Sequence, residues 1–123
     1  MFETLISKLQ DDKYLTLETT PQHEPSMHNI VEKIKKFKID SKVDGFTCTD
    51  NPLAKLKYNS LFAALKLQQE FKKPVIATMT MRDRNKIALQ SDLLGANDFD
   101  IRAILALTGD PANMSDQPNS KGV

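Results

Sequence analysis

The stretch Ala103-Ile104-Leu105-Ala106-Leu107-Thr108-Gly109-Asp110-Pro111 decides the fold. It is apolar without interruption through Leu107. It then turns polar at once, with a hydroxyl, a glycine, a carboxylate and a proline. A short apolar run closed by Gly and Pro predicts a buried strand. A carboxylate just past the carboxyl end of a buried parallel strand stands where α/β proteins place ligand-contacting groups. By itself an Asp before Pro is also a common turn former, and both readings apply to Asp110.

The preceding segments alternate in period. Asp83 or Asn85 is placed to cap a helix that turns Ile87 and Leu94 inward. Before it, Pro74 leads into a strand from Val75 to Met81. An earlier helix sets Leu61, Ala64, Leu65 and Phe71 on one side, with Ser60 as candidate cap. A strand from Val43 to Thr49 puts Val43, Gly45, Thr47 and Thr49 on one face and Phe46 and Cys48 on the other. Asp50-Asn51-Pro52 then turns the chain. Ser26 is the expected cap of a helix striped by Met27, Ile30, Val31, Ile34 and Phe37. Lys33, Lys35, Lys36 and Lys38 cover it. In the strand Tyr14 to Thr20, Leu15 and Leu17 take one face and Glu18 the other, near the carboxyl end. Phe2, Leu5, Ile6 and Leu9 are the docking stripe of an opening helix over Met1 to Asp11.

Strands alternating with helices predict right-handed βαβ units and a parallel sheet. Glu18, Thr49, Thr78, Thr80 and Thr108 all fall near strand carboxyl ends and can share one face. A doubly wound sheet buries apolar residues on both faces. A barrel opening into an active site places polar groups on its inner face at the top. The expected fold is therefore α/β, a (β/α)8 TIM barrel of which only about four βα units are present. A complete barrel has eight units and typically about 250 residues. The 123-residue chain is thus expected to be the N-terminal half of such a barrel domain, with 112–123 a polar loop or tail. The alternative is a small open four-stranded α/β domain that stands alone.

Composition narrows the partners. The 17 basic and 16 acidic residues leave a net charge of +1, which offers no field to attract nucleic acid or an anionic membrane. The lone Cys48 excludes an intrachain disulfide and suits a reducing, cytoplasmic setting. No apolar run is long enough to span a bilayer. His23 and His28 stand apart from any Cys or carboxylate framework, so no metal site is expected. Arg82, Asp83 and Arg84 read equally as a surface ion-pair cluster with a helix cap or as ligand contacts.

Several stretches then fit together. They are Leu17-Glu18, Thr49-Asp50-Asn51-Pro52, Arg82-Asp83-Arg84-Asn85, Leu89 to Ala96 and Thr108-Gly109-Asp110-Pro111. In this order, mostly at strand ends, they resemble the amino-terminal half of methylenetetrahydrofolate reductases. The likeness is to the bacterial branch with the Arg-Asp-Arg-Asn signature, and runs from about Tyr14 to Val123.

The resemblance implies a barrel that binds FAD noncovalently at its top face. It implies reduction of 5,10-methylenetetrahydrofolate to 5-methyltetrahydrofolate, in the supply of methionine. NAD(P)H or another electron donor would reduce the flavin. Glu18 falls where the family has the acid that helps open the methylene bridge. Asp110 falls where an aspartate sits beside the flavin pyrimidine edge and the pterin. The cofactor-binding candidates are Thr49, Thr78, Thr80, Thr108, Gly109 and Asp110. Such an acid must keep its proton near neutral pH, and desolvation inside a barrel would favour that. Without the resemblance, Glu18 reads equally as an exposed strand residue.

Two departures stand out. The family usually has two prolines, a basic residue and a glycine after the first strand, where this chain has Pro21-Gln22-His23-Glu24. Asp100 replaces a glycine that closes the helix before the fourth strand, at a cost of roughly 1 kcal/mol in a left-handed cap. Since the second half of the family barrel supplies much of the FAD and folate contact, these residues alone are expected to be inactive. They are expected to self-associate or to depend on a C-terminal half. The competing functions are a pterin-dependent methyltransferase barrel and a non-catalytic, self-associating half-barrel.

Overall fold

The computed structural model describes residues 2–11 and 13–111. The expected tail at 112–123 lies outside them. Helices and strands alternate: α1 (Phe2–Gln10), β1 (Thr16–Thr19), α2 (His28–Lys36), β2 (Gly45–Cys48), α3 (Ser60–Phe71), β3 (Val75–Thr80), α4 (Lys86–Asp98) and β4 (Ala103–Leu107). Short 3₁₀ turns occupy Ile39–Lys42 and Pro52–Ala54. The four strands form one parallel sheet in the order β1-β2-β3-β4. This is an α/β sheet of the kind found in part of a TIM barrel.

Register fixes the two faces. Leu17 pairs with Phe46, Phe46 with Val75, Cys48 with Ala77, and Ala77 with Ile104. These side chains belong to one apolar core, which α2 joins through Val31 and Ile34 and α3 through Ala63, Ala64 and Leu67. Cys48 lies in this core, and burial pushes its thiol up to about 11 despite a hydrogen bond from the Thr19 hydroxyl. An inert apolar role follows. The opposite face carries Glu18 beside Thr47, Thr47 beside Ile76, Thr78 beside Leu105, and Thr80 beside Leu107.

Local signals account for most boundaries. Asn59, not Ser60, caps α3, accepting from the amides of Leu61 and Phe62. The Ser60 hydroxyl instead points inward and donates to the Thr78 carbonyl at 2.9 Å. Asn85 caps α4 through the Ala88 amide. The N-cap of α2 is Met27, without a side-chain cap, and not the expected Ser26, whose Oγ accepts from the His28 amide from one residue further out. Asp100 is left-handed, with φ 61°, and α4 closes in a Schellman pair, Ile101 N–H to Ala96 O and Asp100 N–H to Asn97 O. The departure from glycine therefore leaves the cap geometry intact.

Other expectations need correction. Ile87 and Leu94 are 79% and 76% exposed, and Ala96 is the residue of α4 that is buried. The side of α4 that carries Ser91, Gly95 and Ala96 faces the α3 residues Leu61 and Leu65, and nothing among the described residues covers the Ile87 and Leu94 stripe. Leu15 precedes β1 and is exposed, unlike Leu17. In α1 only Leu5 of the four stripe residues is buried. It lines a small cleft with Phe2, Pro74, Val75 and Ala103, so the helix covers the amino-terminal end of the sheet. β4 is an edge strand with Leu105 and Leu107 about half exposed, not the buried strand that its apolar run predicts. Its sequence is suited to burial on both faces, and the described residues cover only one.

Candidate active site

The site is built from the carboxyl ends of successive strands. Glu18 is exposed on β1, the sheet edge, whose one neighbour among the described residues is β2. The four strands do not enclose it, so the expected desolvation by a barrel interior is absent here. Thr49 follows β2, and its amide extends the ladder to the Thr19 carbonyl at 3.1 Å. Thr78 and Thr80 are buried on β3, on the Glu18 face. The Thr49 and Thr80 hydroxyls are buried and make no hydrogen bond among the described residues. A buried hydroxyl without a partner costs about 1–3 kcal/mol, so these two orphans at adjacent strand ends are suited to an external partner. Thr108 comes one residue after Leu107, the in-phase neighbour of Thr80, and is exposed rather than sharing the threonine face.

Gly109 has φ 91°. A Cβ there would lie 2.9 Å from Thr80 Cβ and 3.3 Å from Arg82 Cβ. Glycine is thus required because the backbone lies against β3 and adopts a left-handed conformation. The close approach is to protein, which adds a reason for this glycine that the sequence does not display.

Asp110 is more than a turn former. Its Oδ2 accepts from the Leu53 amide at 2.7 Å, joining the loop after β4 to the loop after β2. Its carbonyl accepts from Arg82 Nη1 at 3.1 Å. Arg82 also donates from Nη2 to the Asn51 carbonyl at 3.1 Å, and from Nε and Nη2 to the Asp83 carboxylate. Arg84 donates to Asp50 at 2.5 Å and to the Thr80 carbonyl at 2.9 Å, both from Nη1, and from Nε to Asp92 at 3.0 Å. Arg82 and Arg84 are each at least nine-tenths buried, so the surface-cluster reading is wrong for both. Asp83 is exposed, as that reading has it. Hydrogen bonding to Asp83 raises the Arg82 pKa, against burial. For Arg84 burial is the largest influence and lowers the pKa, but Asp50 and Asp92 together outweigh it.

Arg82 and Arg84 stood in the sequence as an even choice between surface cluster and ligand contact; their burial, and the pairing of Arg84 with Asp50, are what sequence reading missed. The Arg-Asp-Arg-Asn run was visible, but nothing in its spacing gave the burial. Among the described residues no cluster of His, Cys, Asp or Glu is arranged to hold a metal. No helix among them is long and apolar enough to cross a membrane.

The strand-end carboxylates and threonines are those on which the family resemblance rests. A model of the methylenetetrahydrofolate reductase family matches residues 3–122. The chain belongs to this family. The match spans nearly the whole chain and supports an oxidoreductase character and a place in folate one-carbon metabolism; the family is a TIM-barrel one, and the parallel four-stranded sheet is consistent with part of that barrel. No individual curated protein and no solved structure matches significantly.

FAD is the cofactor that the family implies. The two orphaned threonine hydroxyls and the half-exposed Leu105 and Leu107 share one face. Polar partners beside an apolar surface fit a flat heteroaromatic ring with a polar edge.

Proposed function

We propose that these residues form part of a flavin-dependent reductase converting 5,10-methylenetetrahydrofolate to 5-methyltetrahydrofolate. The observation that carries this reading is the shared face of Glu18, Thr78 and Thr80, near the carboxyl ends of parallel strands, in a chain of this family. When bound, FAD would accept a hydride from a donor such as NAD(P)H and pass it to the folate. Thr49, Thr78, Thr80, Thr108 and Gly109 would hold it. Glu18 would give its proton to the nitrogen that leaves the methylene bridge. Asp110 would lie at the flavin's polar edge, where a negative charge disfavours the anionic reduced ring and lowers the potential. The exposed inner face supports a further point. The four strands alone do not exclude water from Glu18, so residues 1–123 in isolation have little reductase activity.

The test uses the full-length product of the gene. After addition of FAD and gel filtration, a flavin absorption band should elute with the protein; a protein peak free of flavin overturns the reading. Glu18→Gln should leave flavin reduction by the electron donor nearly intact and slow folate reduction by roughly 100-fold or more. Equal loss in both half-reactions removes Glu18 from the acid role.

A further inference from the structure

We propose that Arg82 is a positioning residue for the Asp110 carboxylate, acting through the loop after β2. The proposal rests on the reading of Asp110 given above. That loop is locally unfavourable: Asn51, Leu53 and Ala54 have φ of 42°, 58° and 56°. Left-handed backbone costs of order 1–3 kcal/mol at a non-glycine residue, least at Asn, and persists only where surroundings fix it. Besides its internal bond from the Lys57 amide to Asn51 Oδ1 at 2.8 Å, two contacts tie it to neighbouring loops. Arg82 Nη2 holds the Asn51 carbonyl at 3.1 Å, and Asp110 Oδ2 holds the Leu53 amide at 2.7 Å.

One guanidinium joins the residues on either side of this loop: it holds the Asn51 carbonyl directly and the backbone of Asp110, whose carboxylate holds Leu53. Arg82 Nη1 takes the carbonyl of Asp110 itself at 3.1 Å, so a single rigid plane spans the loops after β2, β3 and β4. Asp83 accepts from Nε and Nη2 and sets the orientation of that plane. Gly109 lies against the Arg82 stem, close enough that a Cβ would be 3.3 Å from Arg82 Cβ. The Asp110 carboxylate is therefore held at both ends, by its own backbone and by Leu53. Its Oδ1 carries no hydrogen bond among the described residues and is the atom left for a ligand. Lysine keeps the charge but cannot reach two carbonyls and a carboxylate in one fixed plane. The role thus depends on fork geometry rather than on charge alone.

The experiment is a double-mutant cycle in the full-length product, with Arg82→Lys, Asp110→Asn and both together. Without flavin, amide hydrogen exchange at Leu53 should rise roughly tenfold in each single variant and no further in the double variant, as for groups acting on one contact. Unchanged Leu53 exchange in Arg82→Lys overturns the proposal, and so do effects that multiply. With FAD bound, Arg82→Lys should move the flavin potential upward, in the same direction as Asp110→Asn, although the cation is retained. A potential moved by Asp110→Asn but not by Arg82→Lys also overturns it, because a mere loop staple behaves that way. If Asp110→Asn leaves the potential unmoved, the flavin role of Asp110 fails, and the Leu53 cycle still decides whether Arg82 positions it. Should Arg82→Lys not fold, Asp83→Asn loosens the same plane. Leu53 exchange should then rise by a smaller factor, and no rise counts against the proposal.

Discussion

Arg84 Nη1 and Asp50 Oδ2 meet at 2.5 Å, with both side chains less than a tenth exposed. The same Asp50 oxygen accepts from the Thr80 amide at 2.8 Å. One carboxylate after β2 thus terminates β3 and anchors the first turn beyond it. Removing one member of a buried pair leaves the other charge without compensation, which typically costs 3–5 kcal/mol. Asp50→Asn should therefore destabilise the fold by about 3 kcal/mol or more in urea unfolding. Asp50→Asn with Arg84→Met should cost less than the sum of the single changes. Strict additivity, or a loss below about 1 kcal/mol for Asp50→Asn, contradicts the buried pair.

The alternation of elements and the parallel order were legible because period two and period 3.6 follow directly from side-chain geometry. The Glu18 and Thr47 face was legible for the same reason. Asp50 and Arg84 were not. A carboxylate and a guanidinium separated by 34 positions carry no local periodic signal, and their types suggest the surface until the fold pairs them. Ile87 and Leu94 fail in the opposite way. Their apolar character is real, but an amphipathic pattern gives the stripe without saying what covers it. At Ser60 the cap was misassigned by one residue, since Asn59 and Ser60 are both favoured caps and only the burial of the Ser60 hydroxyl separates them.

Gly109→Ala brings both a backbone and a steric penalty. The residue sits at φ 91°, and the added Cβ would be 2.9 Å from Thr80 Cβ, a side chain fixed within β3. A loss of about 1–3 kcal/mol is expected, read as a lowered melting temperature. Because Gly109 precedes Asp110, Leu53 amide exchange should also rise. A variant as stable as the wild type would mean that the loop after β4 readily shifts off β3.

Asp44 gives the acid limb of stability a specific contributor. Its carboxylate accepts from the Leu15 amide at 2.8 Å and pairs with Lys8. The amide first, and then Lys8, lowers its pKa below the usual value. A depressed carboxyl contributes stability at neutral pH, and the contribution fades as pH falls from about 4 through the lower folded value. The melting temperature of the wild type should exceed that of Asp44→Asn at pH 7, and the gap should close in acid. A gap that stays constant from neutral pH to strong acid removes Asp44 from this role.

The edge of the sheet predicts behaviour in solution. β4 pairs with β3 on one side only among the described residues, and Leu105 and Leu107 are 50% and 46% exposed. Ile87 and Leu94 of α4 add further exposed apolar surface, one seven-residue step apart and so on one side of the helix. An edge strand with exposed apolar side chains invites pairing with another chain, and the exposed α4 residues add apolar surface to the same molecule. Residues 1–123 expressed alone should therefore elute in sizing chromatography as a concentration-dependent dimer or larger species. Ile87→Lys with Leu94→Lys should shift the profile toward monomer, because two ammonium groups in place of apolar side chains oppose the desolvation that association requires. Circular dichroism checks that the helices persist in this variant, since both positions are already exposed and their replacement removes little buried surface. A wild-type chain that stays a folded monomer at all concentrations means that this side of the sheet is covered in solution.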